Sequence, residues 1–133
     1  RTAGVRGYGN REDYCSCELS PWLKGVPESL LPGRLIVPAD GRTTAAGYLG
    51  DPDHYIYWAE GGFSWAVPYV VGLMAMALQL DPDLTEEEIF FHLHSTAHEH
   101  LGADFVNPRG FLESVAAAAG LSLEMSIGHL DSP

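Results

Sequence analysis

The stretch from residue 65 to residue 80 is almost entirely apolar, and Gln79 is its exception. A helix that has no polar face is typical of a domain interior, so the stretch predicts a helix buried on all sides. A bilayer span needs about 20 mainly apolar residues. This run is shorter and contains Pro68 and Gly72, which favours a helix inside a globular domain over a membrane span.

A second helix is predicted over residues 86–95, because its start carries two sequence signals. Thr85 and Glu88 have the spacing of a capping box, in which each side chain accepts a hydrogen bond from the other residue's backbone N–H. Leu84 and Ile89 have the spacing of a hydrophobic staple. The three consecutive glutamates would lie in the first turn, where the helix dipole favours anions, so they indicate a helix start and not a calcium site.

A third helix is predicted to begin after Asn107. Asn107 is a suitable N-cap, and Pro108 fits the first helical position because the N–H that it lacks would have no partner there. Gly120 is the expected end of this helix. The side chains expected to be buried are those of Phe111, Leu112 and Val115.

Two strands are predicted in the first half of the chain. Residues 35–37 are apolar and are followed by Pro38 and an Asp-Gly turn, which indicates a short buried strand. Residues 54–58 are mainly aromatic and β-branched, which indicates a strand leading to Gly61-Gly62. Residues 1–33 are expected to be mostly loop, because glycines and prolines interrupt every period. Strands interspersed with helices predict an α/β fold.

Ser64 follows the two glycines at the expected start of the apolar helix. It can serve as the N-cap or lie in the first turn, and Pro68 is tolerated so close to a helix start. A helix N-terminus offers unpaired N–H groups and a positive dipole end, which would stabilise negative charge developing beside Ser64. That environment suits acyl transfer. The alternative interpretation is structural: a glycine turn, a serine cap and a core helix.

The pattern Gly62-x-Ser64-x-Ala66-x-Pro68, followed by a helix rich in Ala, Gly and Val, resembles the nucleophile motif of the subtilisin-like serine peptidases, the subtilases. Residues 80–89 resemble the family's N-P-x-L-T-x-x-E segment between two helices. Residues 106–112 resemble its closing G-x-V-N segment, and residues 35–41 its V-x-A-P-G strand and turn. The resemblance covers most of residues 34–119.

Two positions depart from the family pattern. Phe63 stands where family members usually carry Thr, and Trp65 stands where they carry small residues or Met. The family's D-[ST]-G and H-G-T motifs, which hold the catalytic Asp and His, do not occur in the chain, and the oxyanion Asn is expected to precede Arg1. The chain therefore resembles the C-terminal part of a subtilase domain, with an irregular segment 1–33, a core 34–120 and a tail 121–133.

The resemblance implies a subtilisin-like three-layer α/β fold with a parallel sheet and a buried central helix. It implies a serine endopeptidase in which Ser64 is the nucleophile and a missing N-terminal part of the same domain supplies the Asp, His and Asn. The substrate would be a peptide or protein. The chemistry needs no cofactor, and structural calcium occurs in the family, with no ligands assignable here. The alternative is a non-catalytic pseudopeptidase or regulatory module that keeps a subtilase-like core.

Composition narrows the range of partners. The chain has 133 residues and a net charge of -11, from 18 acidic and 7 basic residues. Such a charge repels nucleic acid and anionic lipid surfaces, so neither is an expected partner. No segment near Arg1 has the pattern of a signal peptide, although members of the family are often secreted or associated with the cell envelope.

The candidate metal ligands are cysteines and histidines. Cys15 and Cys17 are too close for an easy disulfide with each other, and we expect free thiols. Four histidines are crowded into one segment, and His94 and His98 would share a helix face at a spacing of four residues. The segment lacks an H-E-x-x-H order, so a zinc site and solvated or capping histidines both remain as interpretations. These four residues are His92, His94, His98 and His100.

Overall fold

The computed structural model describes residues 3–6, 13–16, 33–47, 50, 53–59, 61–100 and 102–122. Within these residues four short strands form a mixed sheet in the order β1-β2-β6-β5. Their bounds are β1 Ala3–Arg6, β2 Leu35–Pro38, β5 His98–His100 and β6 Ala103–Phe105, and the remaining two strands are β3 Arg42–Ala45 and β4 Tyr55–Trp58.

Strand β2 lies at the centre of this sheet and pairs in parallel with both neighbours. Leu35 is opposite Ala3 of β1 and Asp104 of β6. Strand β5 pairs antiparallel with β6. The connection between these two strands is short and contains Gly102 at a φ of 71°, and a short connection can only join antiparallel neighbours. The sheet is therefore mixed, which corrects the expectation of a purely parallel one.

A separate antiparallel hairpin precedes the serine. Strands β3 and β4 pair with Arg42 opposite Trp58 and Ala45 opposite Tyr55. The Trp58 indole N–H donates a hydrogen bond to the Thr44 hydroxyl at 3.1 Å. Because β4 ends just before Gly61, the hairpin feeds directly into the predicted nucleophile segment.

Three helices follow: α1 Ala66–Leu80, α2 Glu86–Ser95 and α3 Pro108–Ala118. The capping box of α2 is formed, with Thr85 accepting from the Glu88 N–H and Glu88 accepting from the Thr85 N–H. Asn107 caps α3 by accepting a hydrogen bond from the Gly110 N–H at 3.0 Å. Both predicted helix starts are confirmed, and Gly120, at a φ of 72°, follows the end of α3 as expected.

The main hydrophobic core lies between β2 and the three helices. Leu35, Leu73, Ile89, Phe111 and Val115 are among its buried members. Leu112 packs against this core and is half-buried, whereas Phe111 and Val115 are fully buried. On the other face of the sheet, a ring cluster joins the 3-10 turn Tyr14–Ser16 to the strands β5 and β6. Its members are Tyr14, His98, His100 and Phe105.

Helix α1 is buried along one side only in the described chain, whereas its apolar pattern predicts neighbours on all sides. Val70, Leu73 and Ala77 face the core. Val67 and Val71, on another side, are 53% and 56% exposed. Helix propensity and apolar composition predict that a helix forms, but they cannot predict which neighbours cover it. Within the described residues, no helix is both long and apolar enough to cross a membrane.

The combination of helices with a mixed sheet is compatible with the predicted α/β class. The strands predicted at residues 35–37 and 54–58 are confirmed as β2 and β4, the latter beginning at Tyr55. Residues 1–33 were expected to be mostly loop, yet they contribute β1. A four-residue strand that contains a glycine has little local signal, and its pairing with β2 is what stabilises it.

Candidate functional site

The segment that carries Ser64 is held against the end of β2. The Gly62 N–H donates a hydrogen bond to the Ala39 carbonyl at 3.2 Å, and the Gly41 N–H donates to the Ala59 carbonyl at 3.1 Å. These two bonds fix the start of the serine segment to the turn that follows β2. Asp40, in that turn, is only 6% exposed.

Gly61 makes this close approach possible. Its φ is 64°, and a Cβ atom at this position would lie 1.8 Å from the Ala39 carbonyl oxygen and 2.5 Å from the Asp40 Cα. Any side chain would therefore collide with backbone that cannot move aside. The paired glycines were recognised from sequence as a sharp turn, but the contact that requires Gly61 involves residues distant along the chain.

Ser64 is the middle residue of a 3-10 turn, Phe63–Trp65, that leads into α1. Ser64 is exposed. A methyl group added to Gly62 would lie 3.8 Å from the Ser64 Oγ, which is an ordinary van der Waals distance. The N-cap of α1 is Trp65, and no side chain forms a cap hydrogen bond there. Of the two positions expected for Ser64, the N-cap is therefore excluded, and Ser64 lies in the 3-10 turn that directly precedes the first turn of α1.

The residues that support the motif around Ser64 have separate structural roles. Ala66 is fully buried beside Val37 and Ala39, so only a small side chain fits there. The Trp65 N–H donates a hydrogen bond to the Gly62 carbonyl at 3.0 Å, which closes the turn around Ser64. Pro68 is exposed in the first turn of α1. Phe63 begins the 3-10 turn.

The first turn of α1, which follows Ser64, brings no negative side chain to the helix N-terminus. Residues 66–69, the first turn of α1, contain no acidic side chain, so the positive end of the helix dipole is not neutralised within that turn. No described side chain forms a hydrogen bond with the Ser64 hydroxyl. An incoming group could therefore contact this hydroxyl without breaking a bond to any described side chain.

The histidines between residues 92 and 100 are engaged with other side chains. His92 Nδ1 is 2.8 Å from the Ser114 Oγ, and His94 Nδ1 is 2.7 Å from the Asp104 Oδ2. His98 stacks on Tyr14 with ring centroids 4.2 Å apart. Helix α2 ends at Ser95 and His98 lies in β5, so the predicted helix face shared by His94 and His98 does not form.

No metal site is found in the part of the chain that the structure describes, where no three His, Cys, Asp or Glu side chains are grouped to hold an ion. His92 and His94 do lie in the last turn of α2, as the capping interpretation expects. Cys15 is a free and exposed thiol. The prediction for Cys17 lies outside the described residues.

A pocket of about 260 Å³ borders the entry to α1. Trp65, Pro68 and Tyr69 supply its apolar walls, and Arg42 of β3 supplies a cation. The Arg42 Nη2 donates a hydrogen bond to the Pro38 carbonyl at 2.9 Å. The sequence does not distinguish Arg42 from any other basic residue that follows a turn. The β3–β4 hairpin places Arg42 at the pocket, and this hairpin was not predicted.

No protein-family model matches the sequence, and no solved structure matches the chain.

Proposed function

We propose that this protein is a subtilisin-like serine endopeptidase with Ser64 as its nucleophile. The observation that carries the proposal is the position of Ser64, exposed in a 3-10 turn at the mouth of α1 and held there by the contact of Gly61 with the end of β2. An exposed hydroxyl on a turn held by backbone contacts, just before a helix N-terminus with no acidic side chain in its first turn, suits acyl transfer once a base is supplied. The Gly-x-Ser-x-Ala-x-Pro pattern supports the same conclusion.

In the proposed mechanism the Ser64 Oγ attacks the scissile carbonyl carbon while a histidine takes the hydroxyl proton. An ester forms between Ser64 and the acyl half of the substrate, and the amine half leaves with the proton returned by the histidine. Water then hydrolyses the ester by the same steps. The Ser64 N–H contributes to stabilising the oxyanion. No cofactor enters any step.

The remaining catalytic groups belong, in this proposal, to an N-terminal part of the same peptidase domain. That part supplies the histidine, the aspartate that orients it and the oxyanion asparagine. It also covers the exposed side of α1, where Val67, Val71 and Leu78 present apolar surface to solvent. The complete domain then has the subtilisin-like three-layer fold, in which α1 is buried. The element order β2, Ser64 turn, α1, α2 and α3 matches the order that the resemblance implies.

A second candidate is a pseudopeptidase or regulatory module with a subtilase-like core. Trp65 favours it, because this large side chain directly follows the serine, where family members carry small residues or Met. Phe63 is the other departure from the family pattern. In this case Ser64 would keep only the structural role of ending the glycine turn.

The test is labelling by a fluorophosphonate probe of the chain combined with its natural N-terminal part. The endopeptidase proposal expects rapid labelling and peptide cleavage, both abolished by Ser64→Ala. Ser95→Ala is the matched control, because Ser95 is also exposed and its hydroxyl only donates to the His92 carbonyl. Labelling that persists in Ser64→Ala would overturn the assignment of the nucleophile. A folded complex with no labelling at all would favour the pseudopeptidase.

A further inference from the structure

The pocket formed by Arg42, Trp65, Pro68 and Tyr69 adjoins the proposed nucleophile. Trp65 directly follows Ser64, and Pro68 comes four residues after it, which places both near the same end of α1. A peptide bound with its scissile carbonyl at Ser64 would therefore bring a neighbouring residue over this pocket. Its volume of about 260 Å³ is below the range of about 300–1,000 Å³ typical of sites for whole small-molecule ligands. The pocket suits one side chain.

Arg42 gives the pocket a fixed positive charge. The bond from its Nη2 to the Pro38 carbonyl holds the guanidinium in place and is half-buried. A guanidinium has five N–H donors, so others remain to bind a planar, anionic group. Carboxylates match the spacing of these donors and can accept two parallel hydrogen bonds. Arg109, in contrast, is already engaged with Glu113 at 2.7 Å.

The net charge of the chain acts against an anion, but only at long range. The value of -11 is spread over 133 residues. At physiological ionic strength, interactions between exposed charges fade beyond about 8 Å. Direct contact with the guanidinium therefore outweighs the carboxylates beyond that distance. Asp40, two residues from Arg42 in the sequence, is only 6% exposed and is engaged with a partner of its own. The aromatic and proline walls can pack against the apolar part of the same ligand.

We propose that this pocket is a subsite for a carboxylate-bearing residue of the peptide substrate. The carboxylate binds the Arg42 guanidinium, and the apolar stem of the residue packs on Trp65, Pro68 and Tyr69. The carboxylate can belong to an acidic side chain or to a free C-terminus, because both present the same group. The subsite rests on the proposed function of Ser64, since it becomes a substrate subsite only if Ser64 is the nucleophile.

The first experiment measures kcat/KM in the complete domain with matched peptides. Each peptide pair has Glu or Gln at one position near the scissile bond, or a C-terminal acid or amide. At one position we expect the acid to be preferred about tenfold. Arg42→Gln should reduce that acid-to-neutral ratio to about one, whereas Arg109→Gln should leave it unchanged. The position that shows the preference distinguishes side-chain from C-terminal recognition.

Cleavage that depends on Ser64 but shows no acid preference at any position would overturn the subsite and leave the proposed function standing.

A second measurement tests carboxylate binding by the pocket without relying on peptide cleavage. N-acetylglutamate α-methylamide and N-acetylphenylalanine, each with its neutral amide analogue, are titrated into the 133-residue chain while the Trp65 indole N–H signal is followed by NMR. We expect the signal to shift with at least one acid, with neither amide, and not in Arg42→Gln. No shift with either acid would contradict carboxylate binding. A shift in a domain without Ser64-dependent cleavage would leave a carboxylate site but overturn its role as a substrate subsite.

Discussion

Gly61 has a φ of 64° and lies so close to the Ala39 carbonyl that it determines where the serine segment starts. Gly62, the next residue, has only ordinary contacts around it, since its nearest neighbour would lie 3.7 Å from an added Cβ. The sequence shows two equivalent glycines, and the structure shows that their tolerance of side chains differs. This difference arises from a non-local contact, which a local sequence pattern does not contain.

Gly61→Ala should lower the free energy of unfolding by about 2–5 kcal/mol, from left-handed backbone strain and overlap with backbone atoms. Gly120→Ala is the control for strain alone, because its φ is 72° and nothing lies within 4 Å of the added Cβ. Gly62→Ala is the control for an added methyl group. Urea unfolding midpoints of the three variants give the comparison. Equal effects of Gly61→Ala and Gly120→Ala would show that the contact with Ala39 does not form.

Helix α2 depends on its capping box for a defined start. Hydrogen bonds from the Thr85 backbone N–H and hydroxyl lower the pKa of Glu88 below its usual value of 4.5. Because the folded-state pKa is the lower one, the capping interaction contributes stability above about pH 4.5 and loses it as the pH falls through the folded-state pKa. The same box was predicted from four residues of sequence, because capping chemistry is local.

Glu88→Gln should lower the urea midpoint at pH 7, and the difference from the unmodified protein should shrink as the pH is lowered below 4.5. Glu87→Gln is the matched control, since Glu87 lies in the same first turn and takes no part in the box. Its effect on the midpoint should be smaller than that of Glu88→Gln. A Glu88→Gln effect that is the same at pH 7 and pH 3 would contradict the role of the ionised carboxylate.

The exposed side of α1 should make the isolated chain associate or bind apolar dyes. Val67 and Val71 are more than half exposed, and Met76 and Leu78 are also exposed. Replacing Val67 and Val71 together by Glu should raise the monomer fraction in sedimentation experiments and reduce dye fluorescence, without loss of helix, because Glu favours helices more than Val does. Val70→Glu is the contrasting variant, since Val70 is buried and its replacement should unfold the core. A dye-silent monomer of the unmodified chain that unfolds cooperatively would contradict this expectation.

Helices were predicted better than strands, for a physical reason. Caps and hydrophobic periodicity specify a helix within a few residues, and the starts of α2 and α3 follow from Thr85 and Asn107. The strands β1, β5 and β6 have three or four residues each. Strands β1 and β6 each pair with β2, which lies far from both in the chain. In the described sheet β5 is attached only through its neighbour β6, so local propensity carries little information about these strands. Ser64 was located from the motif, but its 3-10 turn and the neighbouring Arg42 pocket depend on tertiary contacts.

The isolated chain should react with a fluorophosphonate no faster than free serine does. A serine hydroxyl is a weak nucleophile until a positioned base removes its proton, and the histidines at residues 92–100 lie in α2 and β5, engaged with other side chains. The measurement is the labelling rate of the 133-residue chain beside its Ser64→Ala variant. Rapid labelling that survives Ser64→Ala would show that another residue is the nucleophile.

The register that pairs Leu35 with Asp104 also sets the order in which the protein can fold. The β3–β4 hairpin is local and can close within about 1–10 μs. The pairing of β2 with β6 has to close a long loop that contains α1 and α2, and such non-local pairings form slowly. During synthesis α1 therefore emerges before β6 and α3 are available to shelter it. The apolar helix behind Ser64 is thus the segment most exposed to premature aggregation and to capture by chaperones while the ribosome is still translating the chain.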